Sequence, residues 1–383
     1  MEDPRRAAAT PAGAADALRR AAPALLAFAG VRALGLLVLA LWSAAAGKSP
    51  HTLLTARWDS LWYTRVAEFG YGWEVRLPDG TVHSNLAFFP LLPWLERLVS
   101  AVIPLSAADA GLAVSWGASL CAAWGIYLVG ELLHGRRAGI CAVALWAVLP
   151  VGIVQSMAYS ESLFTALAVW SLYAVLTRRW VGAGLLASLA GLTRPVGAAV
   201  VAAVWATAAA QAVRERRVSW RTALGVLLAP LGAAAYVLWV GHRTGDGLFG
   251  YLDIQGQWGN GFDGGLAFAL FVGAKFTSFP LALAGVALIV GVALLIWLYV
   301  LCVRQGQPLA LLVYCGMVVA LALCASGYFG SKPRLLLPAF PLLLPVAVAL
   351  ARVRAGRAAA VLGGVALASA VYGAFWLNGS GPP

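Results

Sequence analysis

The stretch RWDSLWYTRVAEFGY, Arg57 to Tyr71, gathers charges and aromatic rings in a chain of which only 11% is charged. At helical spacing Trp58, Trp62, Arg65 and Phe69 fall on one side, and Asp59, Tyr63 and Val66 on a neighbouring one. Such a helix suits the membrane–water interface, with its rings toward lipid. Asp59 has two readings. As a helix cap it would accept from free backbone N–H groups. As a carboxylate at a water boundary it could act as general base toward a hydroxyl, provided burial or neighbours raise its pKa. One carboxylate is enough for an inverting displacement, whereas retention needs a nucleophile and a separate acid–base group.

Other polar residues could complete a site. Arg194, between an apolar run and Pro195, could fork onto a phosphate or snorkel to the headgroups. Lys332 and Arg334 begin an apolar run, where cations oppose the helix dipole; a bound anion or ordinary headgroup contact would offset that cost. Glu161, in YSES, either caps a helix start, contacts an acceptor or holds a cation with Asp59. His83, in TVHSNLAFF, either reaches the same site or is structural. The segment 241–265 is rich in Gly and acidic residues, but its spacing does not match an EF-hand, and it reads as a flexible loop over the site.

The elements that must position these residues are membrane helices. The chain has 383 residues, 62% of them hydrophobic, and a mean hydropathy of +0.84, more than a water-soluble core can hide. Apolar runs lie near 23–46, 110–133, 138–155, 161–177, 180–193, 195–213, 220–241, 280–303, 308–327, 335–352 and 358–377, which makes about eleven transmembrane helices. The net charge of +12 is carried by arginines at membrane edges and does not imply nucleic acid. All five cysteines sit inside apolar runs and read as packing residues.

Loop charge then assigns sides. With residues 1–22 as a cytoplasmic tail, the basic loops at 134–139, 177–180, 214–221, 303–307 and 351–357 all fall inside. This holds only if 85–105, with Pro90, Pro93, Glu96 and Arg97, is re-entrant or interfacial. A single domain spans 23–377, with a first outer loop at 47–109, an outer loop and interfacial segment at 241–279 and a short outer tail at 378–383. Asp59, Glu68, Glu74, Asp79, Glu96, Asp109, Glu161, Asp246, Asp253 and Asp263 lie outside; beyond the tail only Glu131 and Glu215 lie inside. That asymmetry points to extracytoplasmic chemistry.

Four stretches in order, RWDSLWYTRVAEFGY with AFFPLLPWL, SMAYSESLFTAL, GLTRPVG and SKPRLLLPAFPLL, resemble the PIG-V-like mannosyltransferases of the GT-C superfamily over most of the chain. The resemblance implies an all-α GT-C-type fold and inverting transfer of mannose from a polyprenyl or dolichyl phosphate to an acceptor hydroxyl. No cofactor is required, and a divalent cation is possible but not indicated. The catalytic aspartate of the first outer loop maps onto Asp59. Arg194 with Lys332 or Arg334 would hold the lipid phosphate, and Trp58, Trp62, Tyr63, His83 and Glu161 would contact the acceptor or line the site. TRPVG departs from the polar Ser-Asn pair of eukaryotic members, so the glycolipid or protein acceptor does not transfer. Another sugar, a protein acceptor, or a lipid or solute transporter are the rivals; transporters often place ionisable groups at mid-membrane and show repeats, whereas here the charges gather at the outer edge and no repeat is seen. The Ala, Arg and Gly bias points to a bacterial plasma membrane.

Overall fold

A computed structural model describes residues 14–78 and 80–381, so the expectations for residues 1–13, Asp79 and residues 382–383 lie outside the described residues. The eleven apolar runs all contain helix, in pieces of unequal length. α1 (Ala14–Ala45) leads to α2 (Pro50–Thr55), α3 (Asp59–Phe69), a hairpin of β1 (Glu74–Arg76) and β2 (Val82–Ser84), and α4 (Leu91–Val102). The bundle continues through α5 (Ala107–His134), α6 (Arg136–Ala147), α7 (Ser160–Leu176), α8 (Trp180–Gly191), α9 (Ala198–Glu215), α10 (Trp220–Leu228) and α11 (Leu231–Thr244). α12 (Gly250–Gln257) and α13 (Leu266–Gly273) precede α14 (Leu281–Arg304), α15 (Leu309–Cys324), α16 (Lys332–Leu335), α17 (Leu344–Arg352) and α18 (Ala355–Asn378).

Among the described residues, six segments are long and apolar enough to cross a bilayer: Leu18–Ala45, Ala107–His134, Pro195–Glu215, Trp220–Thr244, Leu281–Arg304 and Ala355–Asn378. The pair Phe329–Leu335 and Phe340–Arg352, bent by 72°, makes a seventh if counted as one span. The remaining runs form shorter helices. With 12 residues, α6 reaches about 18 Å of a hydrocarbon core about 30 Å thick. α4, also 12 residues long, is likewise too short to cross.

Helices that stop inside a membrane leave carbonyls without partners, and lipid supplies none. Side chains fill that gap here. Arg32, inside the first apolar run, donates to the carbonyls of Ala147 and Gly152 where α6 ends. Lys332 donates to Ala322 and Ala325 at 2.6 and 2.8 Å, closing the end of α15. Both cations sit at helix C-termini, where the dipole favours them.

Small residues let the helices approach. A Cβ on Gly130 of α5 would meet the Cα of Gly139 in α6 at 2.8 Å, and one on Gly184 of α8 would meet the carbonyl oxygen of Gly225 in α10 at 2.2 Å. At one end of the bundle Arg20 pairs with Glu131 at 3.7 Å and Arg178 with Glu215 at 3.0 Å. At the other, His51 meets Asp109 at 2.6 Å and Lys48 reaches the carbonyl of Asn378. The stretch read as a flexible outer loop is instead largely helical. Tyr251 and Ile254 of α12 pack with Leu86, Phe89, Tyr236 and Val240 in a small second core, because two apolar residues three apart on one helix face have a surface to bury.

Candidate active site

Asp59 is the first residue of α3 and does not cap it. The cap position belongs to Trp58, which makes no side-chain cap bond. Ser60 accepts from the Arg57 N–H at 3.2 Å and donates to the Arg57 carbonyl at 2.6 Å, folding the chain back as the helix begins. The Asp59 carboxylate is thereby free to meet Arg334 of α16, with Oδ2 2.8 Å from Nη1.

Arg334 bridges two acids. Its Nε lies 3.3 Å from Glu161 Oε1, and the same oxygen lies 2.5 Å from Arg194 Nη1. Arg194 donates to Ser160 Oγ at 3.2 Å, and Ser160 Oγ shares a hydrogen bond with the Tyr63 hydroxyl at 2.7 Å. Because Tyr63 stands one turn beyond Asp59 on α3, the contacts close a ring: Asp59, Arg334, Glu161, Arg194, Ser160, Tyr63. The Arg334 guanidinium also lies 5.0 Å from the Tyr159 ring centroid.

Burial is graded around this ring. The Glu161 side chain is 1% exposed, Arg334 9% and Arg194 13%, while Asp59 is 23% exposed. Two acids and two guanidiniums cancel in formal charge, which is how charges persist at such depth. Burial pushes the Tyr63 hydroxyl well above its ordinary range; Arg194 opposes this, and Asp59 and Glu161 add to it. Tyr63 is thus a neutral hydrogen-bonding group. Asp59 alone among the four charged groups opens substantially to solvent, so a reactant would meet it first.

The structure brings Asp59, Tyr63, Glu161, Arg194 and Arg334 together. Lys332 is not with them: its ammonium serves the α15 carbonyls and lies 4.9 and 5.2 Å from the ring centroids of Phe268 and Phe329. Two residues along a helix is about 200° of rotation, which sends Lys332 and Arg334 to opposite sides. The rings of α3 do not simply face lipid. Trp62 lies 4.5 Å from Trp73, 5.5 Å from Phe88 and 4.8 Å from Trp258. His83 stacks on Trp258 at 4.2 Å and joins this aromatic group rather than the ion pairs. Trp58 stacks against Arg57 at 4.0 Å.

Ser160 and Tyr159 are additions from the structure, although both stand just before Glu161 in YSES and so carry a signal. Trp73 and Trp258 had a weaker one, as tryptophans in polar stretches between apolar runs. Among the described residues no three His, Cys, Asp or Glu side chains gather as a metal site.

The same architecture occurs in solved structures. ArnT from Cupriavidus metallidurans in the apo state superposes with a TM-score of 0.51 and 16% identity, over 82% of this chain and 59% of that one. The same protein bound to undecaprenyl phosphate gives 0.50 and 14%, over 92% and 62%. This is a GT-C-type fold. The chain spans about three-fifths of the length of these GT-C structures. No family model matches the chain, and no curated protein matches it in sequence.

Proposed function

We propose that this protein is an inverting glycosyltransferase that moves a sugar from a polyprenyl-phosphate donor to an acceptor hydroxyl at the Asp59 end of the bundle. The resemblance of its four motifs to PIG-V-like enzymes favours mannose as the sugar. The observation that carries the reading is Asp59 itself, a carboxylate open to solvent on one side and paired with a guanidinium on the other. ArnT, with the same type of fold, has been solved with undecaprenyl phosphate bound, which supports a lipid-phosphate donor.

In this reading the acceptor hydroxyl approaches Asp59 and attacks the anomeric carbon from the face opposite the phosphate. The new glycosidic bond forms as the carbon–phosphate oxygen bond breaks, the proton passes to Asp59 and the lipid phosphate departs with the bonding electrons. Arg334 and Arg194 are the groups available to the departing phosphate, and fixed charges aimed at a leaving group usually give the largest catalytic contribution. Glu161 keeps both guanidiniums in place between turnovers. Lys332, occupied by backbone carbonyls, has no part in this step.

Purified full-length protein, radiolabelled undecaprenyl phosphate mannose and a lipid extract of the source cell test the reading without any transmembrane gradient. Label should move to the extract, and Asp59→Asn should slow transfer by on the order of 10²- to 10⁴-fold. Transfer by Asp59→Asn at the wild-type rate would remove Asp59 as base. Absence of any donor-dependent transfer by the wild type would remove the pairing of mannose with a lipid acceptor and leave another sugar, a protein acceptor or the transporter reading.

A further inference from the structure

The residue before Asp59 is backbone-strained. Trp58 adopts φ 53° and ψ −125°, a combination that residues with a Cβ rarely enter. Such a conformation persists only where its surroundings over-determine it, and it concentrates at functional sites. Arg57 supplies the surroundings. Its guanidinium stacks on the Trp58 ring with the carbon 4.0 Å from the centroid. Nη1 donates to the Leu377 carbonyl at 3.0 Å, and Nη1 and Nη2 both reach the Gly379 carbonyl at 3.3 Å.

Those carbonyls lie at the C-terminal end of α18, where the free acceptors and the dipole favour a cation. The acceptors are themselves held. Leu377 is fully buried, Asn378 donates to Ser43 of α1 at 3.2 Å, and Lys48 takes the Asn378 carbonyl. Ser60 locks the Arg57 main chain from the other side, bonding both its N–H and its carbonyl.

The geometry points to Arg57 as a positioning residue: it clamps the strained Trp58 peptide to the end of α18, so that α3 starts with the Asp59 carboxylate turned to Arg334. This rests on the reading of Asp59 as the base and deepens it, because the last helix then governs the reaction without touching substrate. Without the clamp Trp58 relaxes and carries Asp59 away from its working position. A displacement near 1 Å costs on the order of 100-fold in rate. The loss falls on kcat, because Arg194 and Arg334, the groups proposed to bind the donor, sit on other elements.

The transfer assay above, run with Arg57→Ala, Arg57→Lys, Trp58→Gly and Asp59→Asn, tests this. A second measurement needs no turnover: labelling of Asp59 by a water-soluble carbodiimide and an amine, read by mass spectrometry. Arg57→Ala is expected to lower kcat on the order of 10- to 100-fold with donor KM within about twofold, and to raise Asp59 labelling. Arg57→Lys should recover part of kcat, since an ammonium still reaches the carbonyls but does not stack as a plane. Trp58→Gly, free to adopt the strained angles, needs no clamp to hold them, so added to Arg57→Ala it should return part of the lost kcat. Arg57→Ala with wild-type kcat and labelling, beside an inactive Asp59→Asn, overturns the clamp alone. A fall in kcat accounted for by the fraction of folded protein also overturns it. A fully active Asp59→Asn removes the reading of Asp59 and the clamp together.

Discussion

Two glutamates near the Asp59 end of the bundle are equally buried and differently treated. Glu161, 1% exposed, carries Arg194 and Arg334 on one carboxylate oxygen. Among the described residues neither carboxylate makes a well-formed hydrogen bond, and Glu96, 0% exposed, also lacks a paired cation. Its carboxyl lies against α5 at Gly111, where a Cβ would meet Oε1 at 2.4 Å. Burial, and then Glu68, hold the Glu96 carboxyl well above the usual carboxylate range. A buried acid must find a cation or keep its proton. Glu161 sits in a network of paired charges, and Glu96 packs without one.

The largest effect should come from the hub of the network. Arg334→Ala leaves Asp59 and Glu161 without their shared partner, and transfer should fall at least on the order of 10²- to 10³-fold, the cost of losing one charge-stabilising donor. Arg334→Lys should rescue little, because a single ammonium cannot span two carboxylates as a guanidinium does. Near-wild-type transfer by either variant would break the contrast, since the network would then be only structural.

Glu161→Gln should cost about 3–5 kcal/mol of stability, the usual consequence of leaving buried charge unpaired, and should slow transfer as well. Chemical or thermal unfolding in a defined detergent reads the first part. Lys332→Met removes a cation that meets carbonyls instead of carboxylates. It should lose about 1–3 kcal/mol through unsatisfied acceptors, with activity falling only in step with folded protein. A loss in specific activity as large as that of Arg334→Ala would reverse the roles assigned to the two cations.

The smallest effect belongs to Glu96. A carboxyl whose pKa is raised by folding stabilises the fold below the ordinary carboxyl range, and that contribution disappears as pH rises through the raised value. Glu96→Gln should therefore have an unfolding temperature that falls less than the wild type's as pH rises from the ordinary carboxyl range, with transfer retained. Equal pH slopes in both proteins would show that Glu96 is not the neutral group described.

Much of this was legible beforehand because it is local. Hydropathy marked where helices form, and Asp59, Glu161, Arg194 and Arg334 stand in short polar stretches between apolar runs. What escaped was non-local. Arg32 lies inside an apolar run and gains its reason only beside the broken end of α6. Lys332 shares the SKPR segment with Arg334, and no pattern in that segment says which cation turns toward Asp59. Asp59 looked like a cap because capping depends on a few neighbouring angles, and the unusual one, at Trp58, is held by the far end of the chain.

The amino-acid sequence by itself determined a polytopic helical membrane protein, because apolar runs without water must satisfy their backbone within helices. It also determined which ionisable residues lie near the ends of those runs. Only the tertiary structure decided their partners. Asp59, Glu161, Arg194 and Arg334 come from segments far apart in the chain, and the energy of a buried charge depends on what stands within a few ångströms of it in space.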